Sequence, residues 1–312
     1  MPDAGLKRLL RNLVIALGGL VVIFAAVQWW ITRPPTDVAP SQLEQAVAAA
    51  ETAVRENPNN VDLRVALADA YAKNDQTDEA LEQLDAVLAV QPKHRPALMG
   101  KGVLLYRRGD LEEARPYLER VVANSGGGEF SSADPQLAFT YYMLGKISSS
   151  SGAWKKAVDY FIKAVNIDKG DADSLYALGV AYNELGKSEY AVESFNAALA
   201  FVPTGWCEPY EGLRDSYEQL EDADGITYSS AMVDVCNGGG LGDAEGLQSI
   251  TETKFALSAF IGLGLAAQND MDNTAALKWF QKAREIDPTN ITANTAIAAI
   301  NAAASPSPTP ES

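Results

Sequence analysis

Alanine recurs along this chain at a fixed step, at Ala46, Ala80 and Ala114 and again at Ala157 and Ala191. Three of those four steps are 34 residues long. A repeat of that length holds one helix-turn-helix unit, which cannot bury its apolar face alone. Such units bury it by stacking on their neighbours, so the expected fold is an all-α solenoid. A solenoid offers a long surface rather than a catalytic pocket, which directs the function toward binding.

The unit at 172–203 shows the pattern most completely. Leu175, Leu178, Gly179 and Tyr182 fall on one face of a first helix. Gly186 breaks that helix; Ala191, Phe195 and Ala198 share one face of a second, and Pro203 stops it. This order of Leu-Gly, Tyr, Ala, Phe, Ala and Pro resembles the tetratricopeptide repeat (TPR) family. Tyr141, Leu144, Gly145, Ala157, Phe161 and Ala164 repeat it at 137–169. Units at 61–92, 95–125 and 254–288 carry it in part, and Lys101 stands in one of them where the family prefers an apolar residue. Residues 41–57 match a second helix alone, with Ser41 and Glu44 spaced as a capping box. Residues 291–303 read as a closing cap helix. The resemblance covers most of 41–303 and implies a right-handed TPR superhelix of about five to six repeats with terminal caps.

The period breaks twice. From Ala114 to Ala157 is 43 residues, which puts nine extra residues near the Gly-rich stretch after Ser125. From Ala191 to Ala276 is 85 residues, two periods plus 17. The unit between, at 207–238, is degenerate: Tyr210, Leu213 and Tyr217 survive, but the second helix shows no small-residue pattern. A Gly-rich loop is expected at 237–246.

Residues 13–31 carry no charge, and Gln28 is their one strongly polar member. Nineteen residues at about 1.5 Å each can cross a hydrocarbon core of roughly 30 Å, so this run reads as a transmembrane helix. Lys7, Arg8 and Arg11 lie in the segment before it, 1–12, and only Arg33 follows closely. That asymmetry places the amino end in the cytoplasm and the repeats outside, on a single-pass membrane protein. The rival reading, a cleaved signal peptide, calls for a shorter apolar core and a small-residue cleavage site. The nearest candidate site, Phe24-Ala25-Ala26, lies inside the run and is followed by Trp29 and Trp30. Residues 32–40 hold three prolines and read as a stiff spacer, and 304–312 as a disordered tail.

The net charge is −16, an unfavourable balance for nucleic acid. Residues 205–253 hold eleven acids against Arg214 alone. Among them Glu208, Glu211, Asp215 and Glu218 form an acidic patch, read either as a solvated face or as a docking site for a basic partner. The chain has a single histidine, His94, which falls in an inter-repeat linker and reads as a solvated residue. No phosphate loop and no metal-ligand spacing accompanies it. No catalytic residue, cofactor or metal is therefore expected, and the chain reads as a non-enzyme.

Cys207 would open the first helix of the degenerate unit and Cys236 would close its second. Those two ends meet in an antiparallel helix hairpin, so a disulfide is expected if the repeats lie outside the cytoplasm. The alternative is two unrelated buried thiols.

In the TPR family the first helix of each unit lines a concave groove. The resemblance places Met99 and Tyr106 there, then Phe139, Tyr142 and Lys146, then Tyr176 and Asn183, with the acidic patch at one end. Exposed aromatics on such a wall suit a peptide or protein partner; the alternative is that they pack between helices. The Lys/Asn/Arg clamp that some members use for C-terminal carboxylates is absent, because Val65, Asp69 and Gly100 hold its positions. Two roles fit: an adaptor holding a polypeptide in the groove, in export or complex assembly, or a structural subunit of a larger envelope complex.

Overall fold

The structure, a computed structural model, describes residues 24, 27, 28, 40–125, 133–202 and 205–304. The transmembrane run at 13–31 lies outside them apart from Phe24, Val27 and Gln28, as do most of the 32–40 spacer and all of the tail beyond Ala304. No helix among the described residues is long and apolar enough to cross a membrane.

The described residues form helices and no strand. From residue 40 on, α1 (Gln42–Glu56) comes first and antiparallel pairs follow it. These are α2 (Val61–Lys73) with α3 (Thr77–Val90), then α4 (Arg95–Arg108) with α5 (Leu111–Asn124). Next come α6 (Pro135–Ser150) with α7 (Trp154–Ile167), then α8 (Ala172–Glu184) with α9 (Ser188–Phe201). The pair α10 (Glu208–Gln219) and α11 (Ala223–Cys236) is followed by the short α12 (Glu245–Ser249). A last pair, α13 (Ala256–Asn269) and α14 (Asn273–Ile286), ends on α15 (Ile291–Ala304). Each helix packs mainly on its neighbours in sequence, as a stack of repeats requires.

One small-against-large contact joins the helices of four pairs. A Cβ on Gly102 would lie 2.6 Å from Leu118; on Gly145, 2.4 Å from Phe161; on Gly179, 2.7 Å from Phe195; on Gly264, 2.6 Å from Phe280. In each case the glycine of the first helix lets the large residue of the second lie against bare backbone. Phe161, Phe195 and Phe280 are consequently among the most buried side chains.

The degenerate unit inverts this contact. Its small residues are Gly225 and Ser229, both buried, and Gly225 falls 34 residues after Ala191, on the period. A Cβ on Gly225 would lie 2.4 Å from the Tyr217 ring, so here the first helix supplies the large residue. The expected loss of the small-residue pattern is thus corrected: glycine and serine stand where alanine and phenylalanine would.

The expected loop at 237–246 is present over 237–244. It is turn structure that leads into α12, and Leu247 is fully buried against α11 and α13. Asn269 donates its amide to the Val235 and Gly239 carbonyls at 2.8 and 2.9 Å. The Asp270 carboxylate accepts the Leu241 N–H at 2.8 Å. The unit expected from 137 begins two residues earlier, because Asp134 caps α6 by accepting the Gln136 and Leu137 N–H groups. At α1, the Ser41–Glu44 capping box is formed.

Candidate functional site

The first helices α4, α6 and α8 lie in series, and with the starts of α5 and α7 they enclose an open cavity of about 380 Å3. Tyr106, Lys146 and Tyr176, all placed inward by the resemblance, line it together with Val180. Tyr142 stands beside it, its ring 6.1 Å from that of Phe161 in the cavity wall. Phe139 is 44% exposed and stacks on Tyr142 at 6.4 Å. Met99 is half-buried against the core of the first units. Tyr142 and Tyr176 pack against neighbouring helices and are half-buried.

Asn183 has a different task. Its amide donates to the Gly212 carbonyl at 3.0 Å, and its oxygen accepts the Ser216 hydroxyl at 2.8 Å. The side chain ties α8 to α10 and is spent on the fold.

Leu111 and Trp154 also line the cavity; they open second helices, whereas the family resemblance implies a groove of first helices alone. A signal existed. Leu111 follows Gly109, and Trp154 follows Gly152, by the same two residues, and both glycines adopt left-handed turns. That turn sets the first residue of each second helix beside the end of its first helix.

Burial pushes the Tyr142 phenol up to about 12, and burial likewise raises Tyr106. Tyr176 is raised by burial and then by the charges of Glu208, Glu211 and Asp215. These phenols stay neutral across physiological pH and present O–H groups that donate or accept. Lys146 is exposed and makes no ion pair among the described residues. The site thus joins apolar rings, neutral hydroxyls and one free cation.

Trp206 carries the wall onward, its ring 5.2 Å from Tyr176. Glu208, Glu211, Asp215 and Glu218 follow on α10, all exposed, and none makes an ion pair among the described residues. Cys207 and Cys236 form a disulfide with their Cα atoms 5.6 Å apart. It joins the start of α10 to the end of α11, beside Trp206.

His94 is not the solvated linker residue expected. It caps α4, its Nδ1 accepting the Ala97 N–H at 3.3 Å, and its Nε2 lies 3.5 Å from an Asp62 carboxylate oxygen. Lys101, out of pattern in its unit, is accommodated by an ion pair with Asp85 and by the Tyr117 ring 4.6 Å from its ammonium. No group of three His, Cys, Asp or Glu residues among the described residues is placed to hold a metal ion.

A stack of antiparallel helix pairs, each packed on the next, defines an all-helical repeat protein. Family models described as tetratricopeptide repeat match residues 65–129, and 140–171 and 172–201 as two further repeats. The chain therefore carries tetratricopeptide repeats. It is 25% identical over 173 residues to a TPR repeat-containing protein of Methanocaldococcus jannaschii, covering 54% of this chain and 29% of that one. It is 27% identical over 168 residues to the peroxisomal targeting signal receptor of Yarrowia lipolytica, covering 52% and 27%. To the mitochondrial import receptor subunit TOM70 of Homo sapiens it is 25% identical over 141 residues, covering 44% and 22%. The chain thus spans less than a third of the length of these relatives. The solved C-terminal part of a TPR repeat-containing protein from Cytophaga hutchinsonii shares the fold, with a TM-score of 0.52 at 16% identity over 82% of this chain and 94% of that one.

Proposed function

We propose that this protein is a non-enzymatic adaptor that holds a segment of another polypeptide against its first-helix wall. The observation that carries this is the cavity between Tyr106 and Tyr176, with aromatic sides, neutral phenols and Lys146, which makes no ion pair among the described residues. Such a surface gives apolar area to a side chain and hydrogen bonds to the backbone beside it. Two of the similar proteins are named as receptors, which agrees with a polypeptide ligand.

The same proposal includes a location. The uncharged run at 13–31, with its cations on the amino side, would hold the protein in a cell membrane with the repeats outside the cytoplasm. The disulfide supports an oxidising compartment. Protease added to spheroplasts is expected to degrade the repeats; full protection with the membrane intact would reverse the topology.

Replacing Tyr106, Tyr142 and Tyr176 together by alanine tests the groove. Capture of a partner in a pull-down should be lost while helix content is kept. The second reading, a structural subunit docked by its outer surface, draws on Tyr190 and Phe201, which are 53% and 55% exposed on the second helix α9. Unchanged capture by the triple variant would favour it.

A further inference from the structure

The cavity and the acidic stripe are parts of one surface. Tyr176 belongs to both: it lines the cavity, its ring meets Trp206, and the charges of Glu208, Glu211 and Asp215 reach its phenol. We propose that this surface selects a polypeptide segment in which an apolar side chain has lysine or arginine residues on one side of it. The apolar group enters the cavity at Tyr106 and Tyr176, and the cations lie along Glu208, Glu211, Asp215 and Glu218. This rests on the groove reading above and names the ligand class.

The stripe has the geometry for it. Positions 208, 211, 215 and 218 recur at steps of three and four, so they share one face of α10. The ten steps from 208 to 218 rise about 15 Å. An extended chain covers that distance in about four to five residues. Like charges at this spacing destabilise a helix, and among the described residues no ion pair joins any of the four to a basic side chain; Arg214, three residues after Glu211 and four before Glu218, is the one cation on the helix beside them. A cationic segment would supply the missing counter-charge and would be steered to the site by it. Lys146, which also lines the cavity, disfavours cations there and so turns the cationic part of the segment toward α10. A bound metal ion is a poor substitute, because the four carboxylates form no coordinating group.

The probe is a dye-labelled synthetic peptide with a Leu-Phe centre and lysines on its carboxyl side, followed by fluorescence anisotropy on the full chain in detergent. Two counterparts carry glutamates for the lysines, or serines for Leu-Phe. The lysine peptide should bind, and its affinity should fall as salt rises. The variant Glu208→Gln/Glu211→Gln/Asp215→Asn/Glu218→Gln should weaken it about tenfold or more and flatten the salt dependence. The Tyr106→Ala/Tyr176→Ala variant should weaken the lysine peptide but not the serine one. Equal binding of the glutamate peptide, or an unchanged salt slope in the neutralised variant, would overturn the proposal. If only the tyrosine variant weakens binding, the groove stands and the charge selection fails; if neither does, both fail. Displacement of the peptide by millimolar calcium would also count against it.

Discussion

Phe195 lies between two glycines. A Cβ on Gly179 of its own unit would sit 2.7 Å from the ring, and one on Gly212 of the next unit 2.4 Å from it. One side chain thus closes a helix pair and joins it to its neighbour. Phe195→Ala is expected to cost about 3–5 kcal/mol, read from urea unfolding, and to uncouple the units on either side. The signature residues of this contact were legible because Gly179 and Phe195 keep a constant 16-residue interval that recurs in three other units. Tyr217 on Gly225 was not, because the same complementarity with its partners exchanged leaves no repeated letter. Asp222 shows a second residue-scale effect. It caps α11 and pairs with Lys254 at 2.6 Å, and that hydrogen bond lowers its carboxyl. A depressed folded value contributes stability above the unfolded pKa of about 3.9, and that contribution is lost as pH falls through the lower folded value. The difference in Tm between the wild type and Asp222→Asn should therefore be full near neutral pH and shrink below about pH 4.

At the scale of elements, the turn inside each pair decides how the two helices meet. Gly109, Gly152 and Gly186 take left-handed backbone there, but Asp75, Glu221 and Met271 do so with φ of 58°, 54° and 59°. A side chain in that region is strained, and Met271 is 89% exposed with little packing to offset it. Met271→Gly is expected to raise stability by about 0.5–1 kcal/mol in thermal unfolding, because the relief of strain exceeds the added freedom of the unfolded chain. Glycine marked half of these turns in the sequence, so their positions were readable from the rest of the unit but not from each turn alone. The short α12 was hidden for another reason. A five-residue helix in a Gly-rich stretch carries no period, and only burial of Leu247 against α11 and α13 reveals it.

At the scale of the molecule, the repeats behave as a chain of neighbours, and the disulfide is local to one of them. Linking Cys207 to Cys236 closes a loop of 29 residues, worth about 3–4 kcal/mol in the chain-entropy model. It stabilises the unit whose contacts depart from the pattern and which carries the acidic stripe. Reduction should speed hydrogen exchange first across residues 205–253, while 172–201 keeps its protection. Simultaneous loosening of both would show that the units are not independent. The lining of the cavity was half legible in the sequence: the family resemblance gave Tyr106, Lys146 and Tyr176, while Leu111 and Trp154 depend on how the turns return the chain. Asn183 shared the spacing but serves the α8–α10 joint, a distinction that only its partners make. The central claim, that a polypeptide is held on the first-helix wall, is tested most directly by placing a photo-cross-linking amino acid at Phe139, or at Tyr190 on the second helix α9, in cells. Both positions are exposed, at 44% and 53%. The account expects a discrete polypeptide adduct from position 139, lost in the Tyr106→Ala/Tyr176→Ala background, and none from position 190. An adduct from 190 alone would contradict it.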